Sequence, residues 1–470
     1  MTDAVTVPFV LFAILCALAA LALLEHLVLP ALRFVASSSA EKLIDEVSAR
    51  LKIGIRPFQR TKRRVLIDRL LYDPRVQEAA RTFAASNKVP SEIAQAMVER
   101  YARETVPAFN AYLYFRIGYW VGRRVAQALY RVRLGYVDTE GLAAIDPDAT
   151  VVFVMNHRSN MDYVLAGYLA ADQAALSYAV GEWARIWPLS HLIRSMGAYF
   201  VRRNSKDDLY RKVLERYIAM ATEAGVPQAV FPEGGLSRDG RMREPRLGVL
   251  DYMMRGFKTS GERDVVFIPL GINYDRVLED RTLLLSINPE AAKSSKAKAA
   301  SGTLRFMLRN LRLLVKSEWH RFGYACVNFG SPVSMRAYCA ERGLDFSSMT
   351  REDRQVQMAG LGKHLMACVG KVVPVLPVPL MATVFVRNSG KGLSALELKA
   401  EVEAILDALD AAGAHVYVPR RDLDYALDVG LRMLRLRHLV DEYEGLYSAR
   451  LEELPMLRYY ANSIAHLLAS

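Results

Sequence analysis

The chain has 470 residues, of which 52% are hydrophobic and 24% are charged, and its formal net charge is +12. This composition excludes a disordered chain and a polytopic membrane protein, and the length suffices for one large domain or two to three ordinary ones. The positive charge favours anionic partners, such as nucleic acid, acidic headgroups, phosphorylated metabolites or an acidic carrier protein, without selecting among them. The four cysteines and eight histidines are scattered without metal-ligand spacing, so the sequence predicts reduced cysteines and no metal site.

Residues 1–36 are predicted to be a membrane anchor. The stretch from Val5 to Leu24 is uncharged and strongly apolar, and it has about the length that a spanning helix needs. A cleaved signal peptide normally begins with basic residues, whereas the only early charge here is Asp3, and an interfacial helix needs a polar face that this stretch lacks. Basic residues follow the stretch but none precedes it, so the positive-inside rule places the rest of the chain on the cytoplasmic side.

Residues 37–140 are predicted to be helical. Apolar residues recur at three- and four-residue steps in segments such as "DPRVQEAARTFAAS" and "PSEIAQAMVERYARETV". The pairs Asp73-Pro74 and Pro90-Ser91 are typical of helix starts. The basic segment "RPFQRTKRR" is either a solvated linker or a contact for acidic lipid headgroups.

Residues 141–335 are predicted to form an α/β sheet domain. Short apolar runs, among them "TVVFVMN", "GAYFVRR", "DVVFIPLGINYD" and a late "YACVNFGSPVSM", alternate with helical patterns. Residues 336–470 are predicted to be mostly helical, with one proline-rich bend. The predicted fold class is therefore α/β, with a sheet domain flanked by N- and C-terminal helical regions and an N-terminal transmembrane helix.

The segment "NHRSNMD" places His157 at the end of a predicted strand and Asp162 near the start of the next helix. A turn between them can bring the carboxylate to one imidazole nitrogen and leave the other free to take a proton. The alternative is that Asp162 caps the helix and His157 only packs. No GxSxG motif or other obvious nucleophile is present, and Ser159 is awkwardly close to the histidine. A catalytic pair of this kind suits a general base that activates a substrate hydroxyl.

Basic residues follow the next predicted strand in "GAYFVRRNSKDDLYRKV". Arg202 and Arg203 come directly after the strand, and Lys206 follows within one turn. Paired arginines can hold a phosphate by bidentate hydrogen bonds, and the alternative is a solvated charge cluster.

A third strand end carries "VFPEGGLSRDGRMREP". Glu233 precedes a Gly-Gly turn, and glycine at Gly234 lets the backbone approach a ligand closely. Glu233 can bond substrate hydroxyls and Arg238 an anionic group, whereas the alternative is an ordinary polar loop. A fourth block, "VFIPLGINYDRV", ends a strand and presents Asn273, Tyr274 and Asp275.

The four blocks, in this order, resemble the successive motifs of the glycerolipid acyltransferases that carry a His-x4-Asp signature. The second block, continued through "SKDDLYRKVLERY", looks most like the membrane-bound glycerol-3-phosphate O-acyltransferases. The specific resemblance covers residues 150–335, and the flanks match more weakly. Two positions depart from the pattern: Tyr199 replaces a frequent phenylalanine, and Leu236 replaces a usual arginine. The second departure leaves open which basic residues hold the acceptor phosphate.

The resemblance implies transfer of a fatty acyl group to the sn-1 hydroxyl of glycerol-3-phosphate, forming lysophosphatidate in phospholipid synthesis. His157 would be the general base and Asp162 would orient it. By resemblance, the acceptor site is formed by Arg202, Arg203, Lys206, Glu233, Gly234 and Arg238. The donor would be acyl-CoA or acyl carrier protein, with no cofactor and no metal, since a thioester is already activated. The phospholipid membrane would be a partner, and the enzyme would lie in the cell inner membrane with its catalytic domain cytoplasmic.

Three alternatives remain open at this stage. Dihydroxyacetone phosphate also presents a phosphate and a hydroxyl, and lysophosphatidate is a further acceptor, although the "GAYFVRR" block argues mildly against it. The third is a non-catalytic, membrane-tethered protein that binds acidic lipid or nucleic acid through its basic surface. No nucleic-acid motif is visible, so nucleic acid is not an expected partner.

Overall fold

The computed structural model describes residues 56–111, 113–170, 176–181, 189–202, 205–287, 322–346 and 348–468. The predicted anchor at residues 1–36 lies outside these ranges. Within them, no helix is both long enough and apolar enough to span a bilayer. The anchor therefore stays a prediction.

Helices make up most of the described chain, and most of the strands belong to one sheet. The described helices are α1 (Pro57–Arg60), α2 (Arg63–Leu71), α3 (Pro74–Asn87), α4 (Ser91–Thr105), a π-helical segment (Leu113–Gly118), α5 (Tyr119–Leu129), α6 (Thr139–Ala143), α7 (Met161–Ala170), α8 (Leu189–Ser195), α9 (Asp208–Glu223), α10 (Gly248–Met254), α11 (Asp280–Leu285), α12 (Met335–Arg342), α13 (Arg351–Lys371), α14 (Pro377–Arg387), α15 (Ala395–Ala411), α16 (Leu423–Leu436) and α17 (Leu454–Ala461). The described strands are β1 (Arg131–Val137), β2 (Thr150–Met155), β3 (Ser177–Gly181), β4 (Ala198–Val201), β5 (Gln228–Val230), β6 (Val265–Tyr274), β7 (Tyr324–Phe329), β8 (Val333–Ser334), β9 (Val440–Tyr443) and β10 (Leu446–Ala449).

The main sheet is mixed, and its order is β1-β7-β6-β2-β5-β3-β4 with β8 beside β6. Strands β6, β2, β5, β3 and β4 are parallel, whereas β7 and β8 pair antiparallel to β6. Both β2 and β6 are buried along their whole length, as expected for central strands covered on both faces. The predicted α/β class, with flanking helices, is confirmed for the described chain.

Alternate residues of β2 enter hydrophobic cores on opposite faces of the sheet. Val152 and Val154 belong to one core, together with α2–α4, α9, α10 and α13. Val151, Phe153 and Met155 belong to the other, together with α7 and α14–α17. This division follows the two-residue period of a strand. Helices from the C-terminal 130 or so residues thus cover both faces of the sheet that they follow in sequence.

Local sequence explains where several helices begin. In α3, the Asp73 side chain accepts hydrogen bonds from the backbone N–H groups of Arg75 and Val76, and Pro74 occupies the first helical position. Helix α4 begins at Ser91, directly after Pro90. Both starts agree with the sequence prediction, because an N-cap acceptor and an early proline are local signals.

Strand β1 differs from the prediction of an all-helical segment before residue 141. Helix α5 ends at Leu129, and the strand from Arg131 pairs in parallel with β7, with Arg131 opposite Tyr324. The partner lies more than 190 residues later in the chain, and the strand is a largely exposed sheet edge. Its sequence therefore lacks the apolar run that marks the central strands.

Candidate active site

The loop after β2 is fixed to the neighbouring strand before it reaches His157. The Asn156 side chain donates to the carbonyl oxygen of Ile272 at 2.8 Å and accepts from the Ile272 backbone N–H at 2.8 Å. This pair of bonds continues the β2–β6 ladder by one residue through a side chain. The position of the next residue, His157, is therefore defined by the sheet itself.

His157 and Asp162 are in direct contact and almost fully buried. The distance from His157 Nδ1 to Asp162 Oδ2 is 2.9 Å. The same carboxylate oxygen accepts from the backbone N–H groups of Arg158, at 2.7 Å, and Ser159, at 3.0 Å. Asp162 thus organises the turn and holds the imidazole. It does not act as the predicted helix cap, because the backbone N–H groups that it binds precede α7, which begins at Met161. Because Nδ1 faces the carboxylate, Nε2 is the nitrogen that remains to exchange a proton with a ligand.

The other carboxylate oxygen of Asp162 is bonded by a residue at the end of β6. The Tyr274 hydroxyl donates to Asp162 Oδ1 at 2.5 Å. Tyr274 is fully buried, and burial, together with the charge of Asp162, raises its pKa well above the usual tyrosine value. The sequence places Tyr274 at a strand end but gives no sign of this contact, which joins residues 112 positions apart.

Glu233 holds two loops together. Its Oε1 accepts from the His157 backbone N–H at 2.9 Å, and its Oε2 accepts from the Arg243 backbone N–H at 3.1 Å. The side chain is 2% exposed, and burial raises its pKa to about 7. Glu233 does not line the cavity that opens beside His157. Glu233 therefore positions the backbone of His157, and its predicted contact with substrate hydroxyls stays a prediction.

The loop residues between His157 and Asp162 are held by a further carboxylate, Glu279. The Ser159 hydroxyl donates to Glu279 Oε2 at 2.8 Å, and the Asn160 backbone and side-chain N–H groups reach Oε1 at 3.2 and 3.0 Å. Burial raises the pKa of Glu279. Sequence reasoning missed this residue, because its partners lie about 120 positions earlier. The Ser159 hydroxyl is thus engaged away from the histidine.

A cavity of about 290 Å³ opens beside His157. Its walls are mostly apolar and come from the ends of β3, β4 and β5 and from α9 and α10. The His157 ring lies between aromatic neighbours, with centroids 4.2 Å from Phe231 and 5.4 Å from Tyr163. Three arginines, Arg202, Arg211 and Arg246, also line the cavity. An apolar cavity with a buried imidazole and several guanidinium groups fits an amphiphilic, anionic ligand.

Arg202 reaches the cavity but is already paired. Its Nε and Nη2 bond to the two carboxylate oxygens of Glu104 at 2.9 and 2.6 Å, and these bonds raise its pKa further above the usual arginine value. The guanidinium carbon also lies 5.0 and 4.8 Å from the ring centroids of Tyr101 and Tyr210. A ligand phosphate at this position must compete with Glu104 or join it.

The other predicted basic residues are less close to the cavity. Lys206 and Arg238 are exposed and do not line it, and Arg203 lies outside the described residues. Arg246, which the sequence analysis did not select, lies against Gly234: a Cβ at this glycine, whose φ is +67°, would come within 2.5 Å of Arg246 Cδ. The sequence could have indicated Arg246, because it belongs to the same arginine-rich loop as Glu233 and Arg238.

Within the described ranges, no group of three or more His, Cys, Asp and Glu side chains is arranged to hold a metal ion. The site itself presents an oriented imidazole beside guanidinium groups.

Two family models match the chain. Residues 136–273 match the acyltransferase model, and residues 307–470 match the glycerol-3-phosphate acyltransferase C-terminal region. The glycerol-3-phosphate acyltransferase of Pseudomonas entomophila (strain L48) is 27% identical over 424 residues, which are 87% of this chain and 49% of that protein. The glycerol-3-phosphate acyltransferase of Ectopseudomonas mendocina (strain ymp) is 28% identical over 424 residues, with the same coverage. The chain spans about half the length of the curated relatives it matches.

A solved structure, the 1-acyl-sn-glycerophosphate (LPA) acyltransferase of Thermotoga maritima, aligns with a TM-score of 0.31 and 19% identity. The alignment covers 54% of this chain and 76% of that one. The family models and the sequence relatives agree with the four motif blocks. The resemblance is confirmed: the chain is similar to the glycerol-3-phosphate acyltransferases, and it matches the acyltransferase model followed by the model of their C-terminal region.

Proposed function

We propose that the protein transfers a fatty acyl group from an acyl thioester to the sn-1 hydroxyl of glycerol-3-phosphate, forming lysophosphatidate. The observation that carries this proposal is the buried His157–Asp162 pair at the wall of a cavity that arginines also line. Support comes from relatives whose names state this activity. Acyl transfer needs a base for the hydroxyl, a site for the phosphate and apolar room for the acyl chain.

His157 acts as the general base in this mechanism. Its Nε2 takes the proton of the acceptor hydroxyl while the hydroxyl oxygen attacks the thioester carbonyl carbon. The tetrahedral intermediate then collapses, the C–S bond breaks, and the imidazolium returns the proton to the leaving sulfur. Asp162 keeps the ring in one tautomer and stabilises its charged form. A positioned base of this kind contributes about 10²- to 10⁴-fold to the rate.

The acceptor phosphate is proposed to bind among the cavity arginines. Arg202 offers a planar pair of N–H donors, which the phosphate takes over from Glu104, and Arg246 lies on the neighbouring loop. Gly234 gives Arg246 its space. Arg203, Lys206 and Arg238 are proposed as further basic residues that attract the anion.

The donor is proposed to be acyl-CoA or acyl carrier protein, both of which are anionic and suit a chain with a net charge of +12. No cofactor or metal enters the proposal, because the thioester supplies the activation. An inner-membrane location with the catalytic part in the cytoplasm remains proposed from the apolar segment at residues 1–36.

The test is acyl transfer by detergent-purified protein from palmitoyl-CoA or palmitoyl-acyl carrier protein. Glycerol-3-phosphate, dihydroxyacetone phosphate and lysophosphatidate are offered separately, and we expect product with glycerol-3-phosphate alone. Product only with another acceptor would keep the chemistry and change the substrate. Failure of every combination would favour a lipid-binding protein without turnover.

His157→Ala should abolish transfer, with a loss of about 10²-fold or more, because the variant lacks the imidazole that takes the hydroxyl proton. The control is His191→Ala, which removes an exposed histidine from α8. Both variants should keep the wild-type melting temperature within a few degrees. Turnover near the wild-type rate in His157→Ala would exclude the proposed mechanism.

A further inference from the structure

Both oxygens of the Asp162 carboxylate accept hydrogen bonds, but only Oδ2 accepts them from the His-x4-Asp turn. Its Oδ2 accepts from His157 and from two backbone N–H groups of the same turn. Its Oδ1 faces the opposite direction and accepts from the Tyr274 hydroxyl at 2.5 Å. With three N–H donors on one oxygen, the carboxylate is the acceptor in this contact and the tyrosine is the donor.

Tyr274 is itself rigidly held. It is the last residue of β6, a strand that is buried along its whole length. Its ring packs against Tyr130, with centroids 5.3 Å apart, and neither side chain is exposed to solvent. Because the strand and the packed ring hold the Tyr274 hydroxyl in one position, this hydroxyl fixes the plane of the Asp162 carboxylate more firmly than a loop residue would.

We propose that Tyr274 is a positioning residue for acyl transfer, completing a His157–Asp162–Tyr274 hydrogen-bonded chain that sets the orientation and basicity of the imidazole. This inference rests on the proposed function. Tyr274 touches neither the acceptor nor the donor, and it acts through Asp162. A hydrogen bond donated to the carboxylate disperses its negative charge, and without it the carboxylate favours the imidazolium more strongly.

The charged groups that face Asp162 from other elements are kept constant in the test. They are Glu233 from the loop after β5 and Glu279 from the loop after β6, and the Tyr459 phenol on α17 also interacts with the carboxylate. Arg158 contacts the carboxylate through its backbone N–H, and its guanidinium donates to the carbonyl oxygen of Gly240. None of them is altered by removing the Tyr274 hydroxyl. A change in the pH dependence can therefore be assigned to the lost hydrogen bond.

The variant is Tyr274→Phe, and the matched control is Tyr130→Phe. Tyr130 is equally buried and adjacent, but its hydroxyl donates to the carbonyl oxygen of Arg276 at 2.8 Å instead of to Asp162. We expect Tyr274→Phe to lower kcat about 10- to 100-fold with little change in KM for glycerol-3-phosphate, since Asp162 no longer holds the imidazole in one orientation. The acid limb of its kcat/KM profile should move to higher pH. Tyr130→Phe should change neither quantity.

Proton NMR supplies a readout that does not need turnover. The resonance of the His157 Nδ1 proton, assigned by its absence in His157→Ala, should shift in Tyr274→Phe and stay in place in Tyr130→Phe. Suppose that wild-type protein transfers acyl groups, and that both phenylalanine variants keep the wild-type kcat, the wild-type acid limb and the wild-type position of the His157 Nδ1 proton resonance. The positioning role is then wrong, and the proposed function stands. If wild-type protein shows no transfer, the proposed function fails, and the resonance alone supports or overturns the coupling.

Discussion

Individual residues at the site differ in how far their roles follow from local sequence. The contact between His157 and Asp162 was predictable, because a five-residue spacing across a strand-to-helix turn brings the two side chains together. The engagement of Arg202 by Glu104 was not, because the two residues are 98 positions apart and nothing local to either one signals the pair. Local sequence therefore does not indicate which basic residues bind the acceptor phosphate.

The space at Gly234 leads to one prediction at this scale. Alanine there places a Cβ within 2.5 Å of Arg246 Cδ. The backbone φ of +67° adds a strain of about 1–2 kcal/mol for a residue other than glycine. Arg246 must move, so Gly234→Ala should raise KM for glycerol-3-phosphate about 10-fold or more while kcat changes less. Steady-state kinetics against acceptor concentration measure this effect.

Gly167→Ala is the matched control, because a Cβ at this position in α7 meets no atom within 4 Å. It should keep the wild-type KM. An unchanged KM in Gly234→Ala would contradict the placement of Arg246 at the phosphate.

At the scale of elements, the end of β6 and the segment that follows it connect the C-terminal helices to the turn that carries His157 and Asp162. The Asn273 side chain donates to the carbonyl oxygen of Pro374 at 2.9 Å, and the Tyr460 hydroxyl on α17 accepts from the Val277 backbone at 3.1 Å. Tyr274 and Glu279, in the same segment, hold Asp162 and Ser159. The sequence predicted the strand from its apolar run, but it did not predict these contacts, since they join residues about 100 to 190 positions apart.

A buried ion pair links the end of α16 to α11, and the Tyr460 hydroxyl joins α17 to this pair. Arg437 Nη2 lies 2.6 Å from Asp280 Oδ2, and Arg437 Nη1 donates to the Tyr460 hydroxyl at 2.8 Å. Arg437→Met leaves the Asp280 carboxylate buried without its cation, so we expect a loss of about 3–5 kcal/mol in the free energy of unfolding. Thermal and denaturant unfolding of the purified protein measure it.

The neighbouring Arg435 gives the comparison. It pairs with Glu442 at 2.7 Å, but its side chain is 48% exposed, so Arg435→Met should cost about 1 kcal/mol or less. Equal losses in the two variants would show that burial does not control the contribution of these pairs.

For the whole molecule, the pH dependence of stability should reflect buried carboxyl groups. Asp275 is fully buried and accepts from the backbone N–H groups of Tyr324 and Val378, and burial raises its pKa to about 7, as it does for Glu233. A raised folded-state pKa means that the folded protein binds the proton more tightly than the unfolded chain. Each group therefore lowers the free energy of unfolding as pH rises between about 4 and 7, by at most about 1.4 kcal/mol per pH unit.

Asp275→Asn removes one of these titrations, although it also leaves one backbone N–H with a poorer partner. Melting temperatures recorded from pH 5 to pH 8 should fall less steeply with rising pH in the variant than in the wild-type protein. A parallel decline in the two proteins would argue against a proton on Asp275 in this range.

The bond between the Ser159 hydroxyl and Glu279 has a kinetic consequence. The one hydroxyl within the catalytic turn is occupied, so in the proposed mechanism the acyl group never rests on the protein. Donor and acceptor must then be present together, and the order of events is sequential instead of ping-pong. On this proposal, an acyl thioester that arrives alone stays intact until an acceptor binds.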